Sequence, residues 1–211
     1  MIAVVCAVPA ERRALSGLAG ERLRVHVSGI GAAAAARTAE AIAAEAPRAM
    51  ISAGYCGALA DDLRVGDLVA ADVVVDERTG DRFAADPELL AAAPGRRGAM
   101  VSAERIARTP ADRDRLDGLA VDMESAALAR AAGEARIPFL ALRAVTDERH
   151  HRVPDFDKVM DAAGRLTPGA GLVHFVLHPR EVPALLRLGP ASRRAGESLR
   201  EGLGTLLERL P

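Results

Sequence analysis

The chain alternates between short apolar, β-branched runs and Ala-rich stretches of helical period, and this rhythm restricts its fold more than any other feature. Residues 2–8, 23–28, 49–53, 68–75, 119–122 and 139–146 read as strands, and residues 10–18, 32–46, 124–136, 169–177 and 190–210 as helices. Such alternation is the pattern of β-α units wound around a sheet. The expected fold is therefore α/β, three layers (α/β/α) around a central mixed, mostly parallel sheet. Residues 79–115 are more polar, carry Pro87, Pro94 and Pro110, and are expected to hold an extra hairpin and loops. Beyond Pro168 the pattern turns helical, which predicts a C-terminal helical cap over about residues 168–211 of a single domain spanning 1–211.

At 211 residues, the chain can bury about 70% of its unfolded surface in one core. Its 28 Lys and Arg stand against 29 Asp and Glu, which leaves no charged footprint for a phosphate backbone, so no nucleic acid partner is expected. Cys6 and Cys56 lie far apart in apolar or Gly-rich surroundings and offer neither a disulfide framework nor a C-x-x-C metal pair. A reducing, cytoplasmic setting fits. The apolar run at residues 2–8 is too short for a secretory core or a bilayer span.

Two glycine-bearing stretches follow strand-like runs. Gly29-Ile30-Gly31-Ala32-Ala33-Ala34 matches G-x-G-x-x-A, but it follows the second strand, and no acid for a ribose hydroxyl closes the next one. A tight β-α turn is the better reading than a dinucleotide site. Gly54-Tyr55-Cys56-Gly57-Ala58-Leu59 could let backbone N–H groups approach a ligand, or could be a plain turn.

The acids carry the sharper signal. Glu11 lies just past the first strand, Asp122 and Glu124 at the end of the fifth, and Asp147 at the end of the sixth, so three strand ends aim carboxylates at one rim. Any one of them alone is an ordinary loop acid, and Glu124 could serve a helix N-terminus. Together they suit cleavage of an N-glycosidic bond. One acid loads a proton onto the departing base, one stays ionised beside a sugar that becomes cationic, and one activates water.

Val121-Asp122-Met123-Glu124-Ser125-Ala126-Ala127 and Ala141-Leu142-Arg143-Ala144-Val145-Thr146-Asp147 resemble the V-E-M-E-A-A-A and R-x-x-S-D motifs of the purine nucleoside phosphorylase and methylthioadenosine/S-adenosylhomocysteine nucleosidase superfamily. Ser28-Gly29-Ile30-Gly31, Gly54-Tyr55-Cys56-Gly57 and Leu63-Arg64-Val65-Gly66-Asp67-Leu68-Val69 support the likeness over residues 1 to about 150. The resemblance implies that Asp147 protonates or hydrogen-bonds N7 of a purine, that Glu124 grips the ribose hydroxyls with Met123 against the sugar, and that Glu11 activates water. It also implies Ile106 at the base pocket, with Asp122, Gly54, Tyr55 and Gly57 lining the site.

Departures bear on the nucleophile. Where the phosphorylase branch has a phosphate-binding Arg and hydroxyl, this chain has Ser52 and Tyr55, which argues against phosphorolysis unless Arg12 or Arg13 compensates. The stretch from His178 to Gly189 and the Arg-rich run that follows resemble the hopanoid-associated phosphorylase branch, held to release adenine from adenosylhopane; an ordinary helical cap is the competing reading. Futalosine or methylthioadenosine nucleosidase activity and non-catalytic nucleoside binding are the alternatives. The resemblance implies a homo-oligomer, a dimer or larger, and a lipidic substrate would suit transient contact with a membrane surface. No metal is expected at His150 and His151, adjacent on a loop without spaced partners. Ser125 lacks a nucleophile elbow. No cofactor is expected, with inorganic phosphate left open as a co-substrate.

Overall fold

The computed structural model describes residues 1–20, 22–156, 167 and 177–210. The helix expected at residues 169–177 falls, but for Leu177, outside the described residues. Strands β1 (Ile2–Cys6), β2 (Leu23–Val27), β3 (Ala49–Ala58), β4 (Leu68–Asp76), β5 (Arg82–Ala84), β6 (Arg96–Ser102), β7 (Ala120–Asp122) and β8 (Phe139–Asp147) form one mixed sheet. Its helices are α1 (Pro9–Ala14), α2 (Ala32–Ala43), α3 (Pro87–Ala92), α4 (Pro110–Arg113), α5 (Ser125–Glu134) and α6 (Val182–Arg209).

β1 pairs in parallel with β2 and β3, and β3 with β8; β4 and β8 run antiparallel, β4 and β6 parallel, β6 and β7 parallel, and β7 returns antiparallel to β3. Strands β3, β8, β4, β6 and β7 therefore close on themselves, while β1 and β2 extend from the same edge of β3 that β7 uses further along. Ser52 is the last β3 residue paired with β1, and Gly57 the first paired with β7. At that fork β3 has no strand neighbour on one side. A fork of this kind is where an α/β sheet opens a crevice.

α2 and α5 pack together on one face, where Ala35, Ala39, Ile42, Leu128, Ala129 and Ala132 meet the sheet. On the other face α6 lies against β8 and β3, with Ala195, Leu199, Leu203 and Leu206 buried beside Leu15 and Leu89. Three layers result, with α/β/α order as expected. α6 comes close because Gly202 faces Leu68, where a Cβ would stand 2.5 Å from the leucine Cδ1. It also starts earlier than its proline suggests: the helix runs through Pro190, because the residues before it already bury Ala184.

Within residues 79–115 the expected hairpin exists as β4–β5, Val74 opposite Phe83. The strand β6 was not expected. It opens on two exposed arginines and ends in three buried residues, so it shows no period of two. Among the described residues no helix is long and apolar enough to cross a membrane.

Leu199 and Leu203 are wholly buried between α6 and the sheet. Replacing either by Ala should destabilise the fold by about 2–5 kcal/mol, read from denaturant unfolding; a loss under about 1 kcal/mol would mean that α6 is not anchored as described.

Candidate active site

At the fork, the Tyr55 N–H points from β3 into the gap between β1 and β7. A buried amide there needs an acceptor, and Glu11 supplies it: Oε1 accepts from Tyr55 N at 2.7 Å, while Oε2 accepts from Ala7 N at 2.7 Å and Val8 N at 3.0 Å. Glu11 sits in the first turn of α1, where an acid is favoured, and its carboxylate caps the strand exit and the helix start together. It is 3% exposed. Burial pushes its carboxyl above the usual range, and Arg143 and the three amides pull it back.

Arg143 rises from β8 beneath the same gap and is wholly buried. Its Nη2 lies 2.5 Å from Asp122 Oδ2, donates to Ser52 Oγ at 2.7 Å and Ser125 Oγ at 3.2 Å, and stands 3.5 Å from Glu124 Oε2. Its Nη1 donates to no protein group among the described residues. A Cβ on Gly54 would lie 2.5 Å from both Arg143 Nη1 and Glu11 Oε1. Only a residue without a side chain lets these two groups meet over β3.

Glu124 follows β7 and precedes α5. Its Oε1 accepts from Gly31 N at 2.8 Å, at a glycine with φ of 93°, so the G-x-G turn is spent on holding a carboxylate. Burial and the neighbouring Asp122 push its pKa up to about 7, against the pull of Arg143. Asp147 ends β8, with Oδ1 accepting from Thr146 Oγ1 at 2.8 Å and Oδ2 paired with the guanidinium of Arg113. Burial raises this carboxyl too, and Arg113 opposes the rise. Gly57 makes the space: a Cβ there would stand 2.8 Å from Asp147 Oδ2.

Glu11, Glu124, Asp147 and Arg113 border one cavity of about 210 Å³, and Arg143 lies beneath its wall. Glu11, Tyr55, Gly57, Ile106, Asp122, Met123, Glu124 and Asp147, each singled out in the sequence, all line it. Gly54 lies behind Glu11 and Arg143 rather than on the wall. Four further points follow from the geometry. Gly54 to Gly57 are not a turn after a strand, since β3 continues to Ala58 because Arg143 and Asp147 pack across glycines that leave the strand extended. Tyr55 turns its ring toward α6, where a Cβ on Gly196 would be 3.0 Å from the phenol oxygen, and does not present its hydroxyl in place of the family's Ser or Thr. Asp122 lines the cavity, but its oxygens are taken by Arg143 and by the Ser125 amide and hydroxyl. Arg12 and Arg13 are exposed on α1 and do not border the cavity.

Ser52 is buried between Arg143 and Ser125. His150 reaches Asp61 at 3.2 Å, whereas His151 accepts from the Glu148 amide, so the two rings diverge. Arg113 was missed by sequence reading: it sits in the polar stretch, in no motif, and only the fold carries it to Asp147. A second hollow of about 290 Å³ shares Thr146 and Asp147 with the first and is bordered by Val65, Ala184, Leu188 and Arg194.

A model of the phosphorylase superfamily matches residues 3–169. The chain belongs to that superfamily. It is 29% identical to a 5'-methylthioadenosine/S-adenosylhomocysteine nucleosidase of Aeromonas salmonicida, over 70% of this chain and 78% of the other, and equally so to one of Shewanella pealeana. Among solved structures it superposes on futalosine hydrolase of Helicobacter pylori with a TM-score of 0.76 at 15% identity, covering 99% of this chain and 97% of that one. An S-adenosylhomocysteine nucleosidase from Streptococcus pyogenes gives 0.77 at 22% identity, covering 100% and 97%. These superpositions carry the superfamily's α/β fold.

The raised carboxyls have a consequence for stability. Folded Glu124 keeps its proton to about pH 7, whereas unfolded it lets go near 4.5. Between those values the native state binds more protons, so stability falls as pH rises and levels off above; Glu11 and Asp147 act in the same sense. Thermal unfolding followed from pH 5 to 8 should show this decline, and Glu124→Gln should flatten it. An equally steep decline in the variant would exclude Glu124 as a source.

Proposed function

We propose that this protein hydrolyses the N-glycosidic bond of a purine nucleoside. The observation that carries the reading is the convergence of three buried carboxyls, Glu11, Glu124 and Asp147, on one cavity, two of them over glycines whose missing side chains make room for them. Asp147 hydrogen-bonds or protonates N7 as the bond from sugar to base breaks and its electron pair leaves with the base. Glu124 holds the ribose hydroxyls, Met123 packs against the sugar, and Ile106 borders the base. Glu11 takes a proton from the water that adds to the anomeric carbon. The guanidinium of Arg143, beside Glu11 beneath the cavity wall, favours the ionised form of Glu11 that accepts this proton.

Water is favoured over phosphate by the surroundings of the nucleophile side. The position where phosphate would find an arginine holds Ser52, already committed to Arg143, and Arg12 and Arg13 stay outside. The relatives named for methylthioadenosine, S-adenosylhomocysteine and futalosine support a nucleoside with a substituent at the 5′ position. Adenosylhopane is the substrate we favour: the likeness of the C-terminal residues to the hopanoid-associated branch supports it, as does the partly apolar hollow beside α6. A dimer or larger homo-oligomer and a transient membrane-surface contact accompany that reading.

The protein incubated with adenosylhopane, methylthioadenosine and futalosine, with and without phosphate, should release base and a free ribose derivative, fastest from adenosylhopane and with no need of phosphate. A ribose 1-phosphate product would overturn hydrolysis, and no base from any substrate would leave a nucleoside-binding protein. Asp147→Asn should lose at least about 100-fold in kcat while still folding; near-normal release by this variant removes Asp147 from the mechanism.

A further inference from the structure

Arg113, the last residue of α4, is wholly buried, and the roles assigned above leave it unused. Its Nε donates to Ala107 O at 3.2 Å, its Nη1 to Glu148 O at 2.5 Å, and its Nη2 to Oδ2 of Asp147. A buried guanidinium stays charged and is costly unless its donors are matched. The matching groups here belong to the loop that carries Arg105 and Ile106, to the residue just after β8, and to Asp147 itself. All three border the cavity or adjoin it.

The carboxyl of Asp147 is thus gripped from two sides. Thr146 Oγ1 donates to Oδ1 and Arg113 to Oδ2, which fixes its plane, while Gly57 leaves the Oδ2 side open. Besides Arg113 from α4, the charged and titratable groups facing it among the described residues are His151 from the loop after β8 and the buried thiol of Cys56 from β3. Of these, Arg113 is the one in contact with it.

We propose that Arg113 is a positioning residue for Asp147: it fixes the plane in which the carboxyl faces the cavity, and its charge sets the pH at which that carboxyl gives up its proton. The proposal rests on the reading of Asp147 as the group that assists departure of the base. An adjacent cation favours the ionised form, so removing it lets Asp147 keep its proton to higher pH.

The test is an infrared difference titration of the Asp147 carboxyl, each protein measured against its own Asp147→Asn partner, together with steady-state kinetics. In Arg113→Met, or Arg113→Gln if the former does not fold, the Asp147 titration should move up by about one to three pH units, and kcat should fall at least tenfold with KM changed less than threefold. Arg113→Lys should restore the titration to near the wild-type pH but recover only part of kcat, because an ammonium cannot span three acceptors as the fork does. An unmoved titration in a folded neutral variant overturns the proposal. Should neither neutral variant fold, Arg113→Lys decides, and undiminished kcat there overturns it. Since the infrared signal needs no turnover, wild-type protein that releases no base would defeat the proposed activity while leaving the Arg113 coupling measurable.

Discussion

A guanidinium cannot shed its charge, so a fully buried arginine obliges the fold to bring acceptors to it. Arg143 does this to the centre of the molecule. Its Nη2 draws Asp122 and Glu124 from the end of β7, Ser52 from β3 and Ser125 from the start of α5, and its other side approaches Glu11 over Gly54. Strand ends that are far apart in sequence are tied to one charge on β8. Three carboxyls around one cation cannot all ionise without excess negative charge in a dry interior, and the pKa of Glu124, pushed up to about 7, is the relief.

The fork in the sheet makes this arrangement reachable. Because β1 leaves β3 after Ser52 and β7 joins it only at Gly57, the intervening backbone donor of Tyr55 is free to bind a side chain, and Glu11 takes it. A continuous sheet would have covered that amide with a strand and left no crevice. The two glycines are the local condition for the same opening, since a side chain at either would collide with Glu11 and Arg143 or with Asp147.

Much of this was legible from sequence because it is written in short-range patterns. The buried strands β1, β3, β4 and β8 are nearly continuous apolar runs, and each acid of the candidate site stands at the end of a run that could be seen. What escaped depends on distant partners. β6 has no period of its own because it runs from two exposed arginines into three buried residues, and its Gly98 is required by Leu119, whose Cδ1 would lie 2.5 Å from a Cβ there. The extension of β3 through Gly54 and Gly57 was hidden because glycine, which weakens a strand considered alone, is here required by side chains from β8 and α1. Arg113 was invisible for the same reason: in sequence it is one arginine among many in a polar stretch, and only chain closure sets it against Asp147.

The two buried arginines divide the cavity electrostatically. At the Arg143 end one positive charge faces Glu11, Asp122 and Glu124, so the local balance is negative and shifts with a single proton. At the other end Arg113 and Asp147 form a pair close to neutral. On the proposed reading, the sugar becomes cationic and the base leaves with an electron pair, which asks for excess negative charge on the sugar side and a proton or hydrogen-bond donor on the base side. The Arg143 end supplies the first, while at the other end Asp147 donates only when protonated, a state that its burial favours and the adjacent Arg113 opposes. Each end has its own arginine, which keeps the two charges apart. A single shared cation would couple the two carboxyl groups, and a proton gained beside the sugar would then be felt at the base.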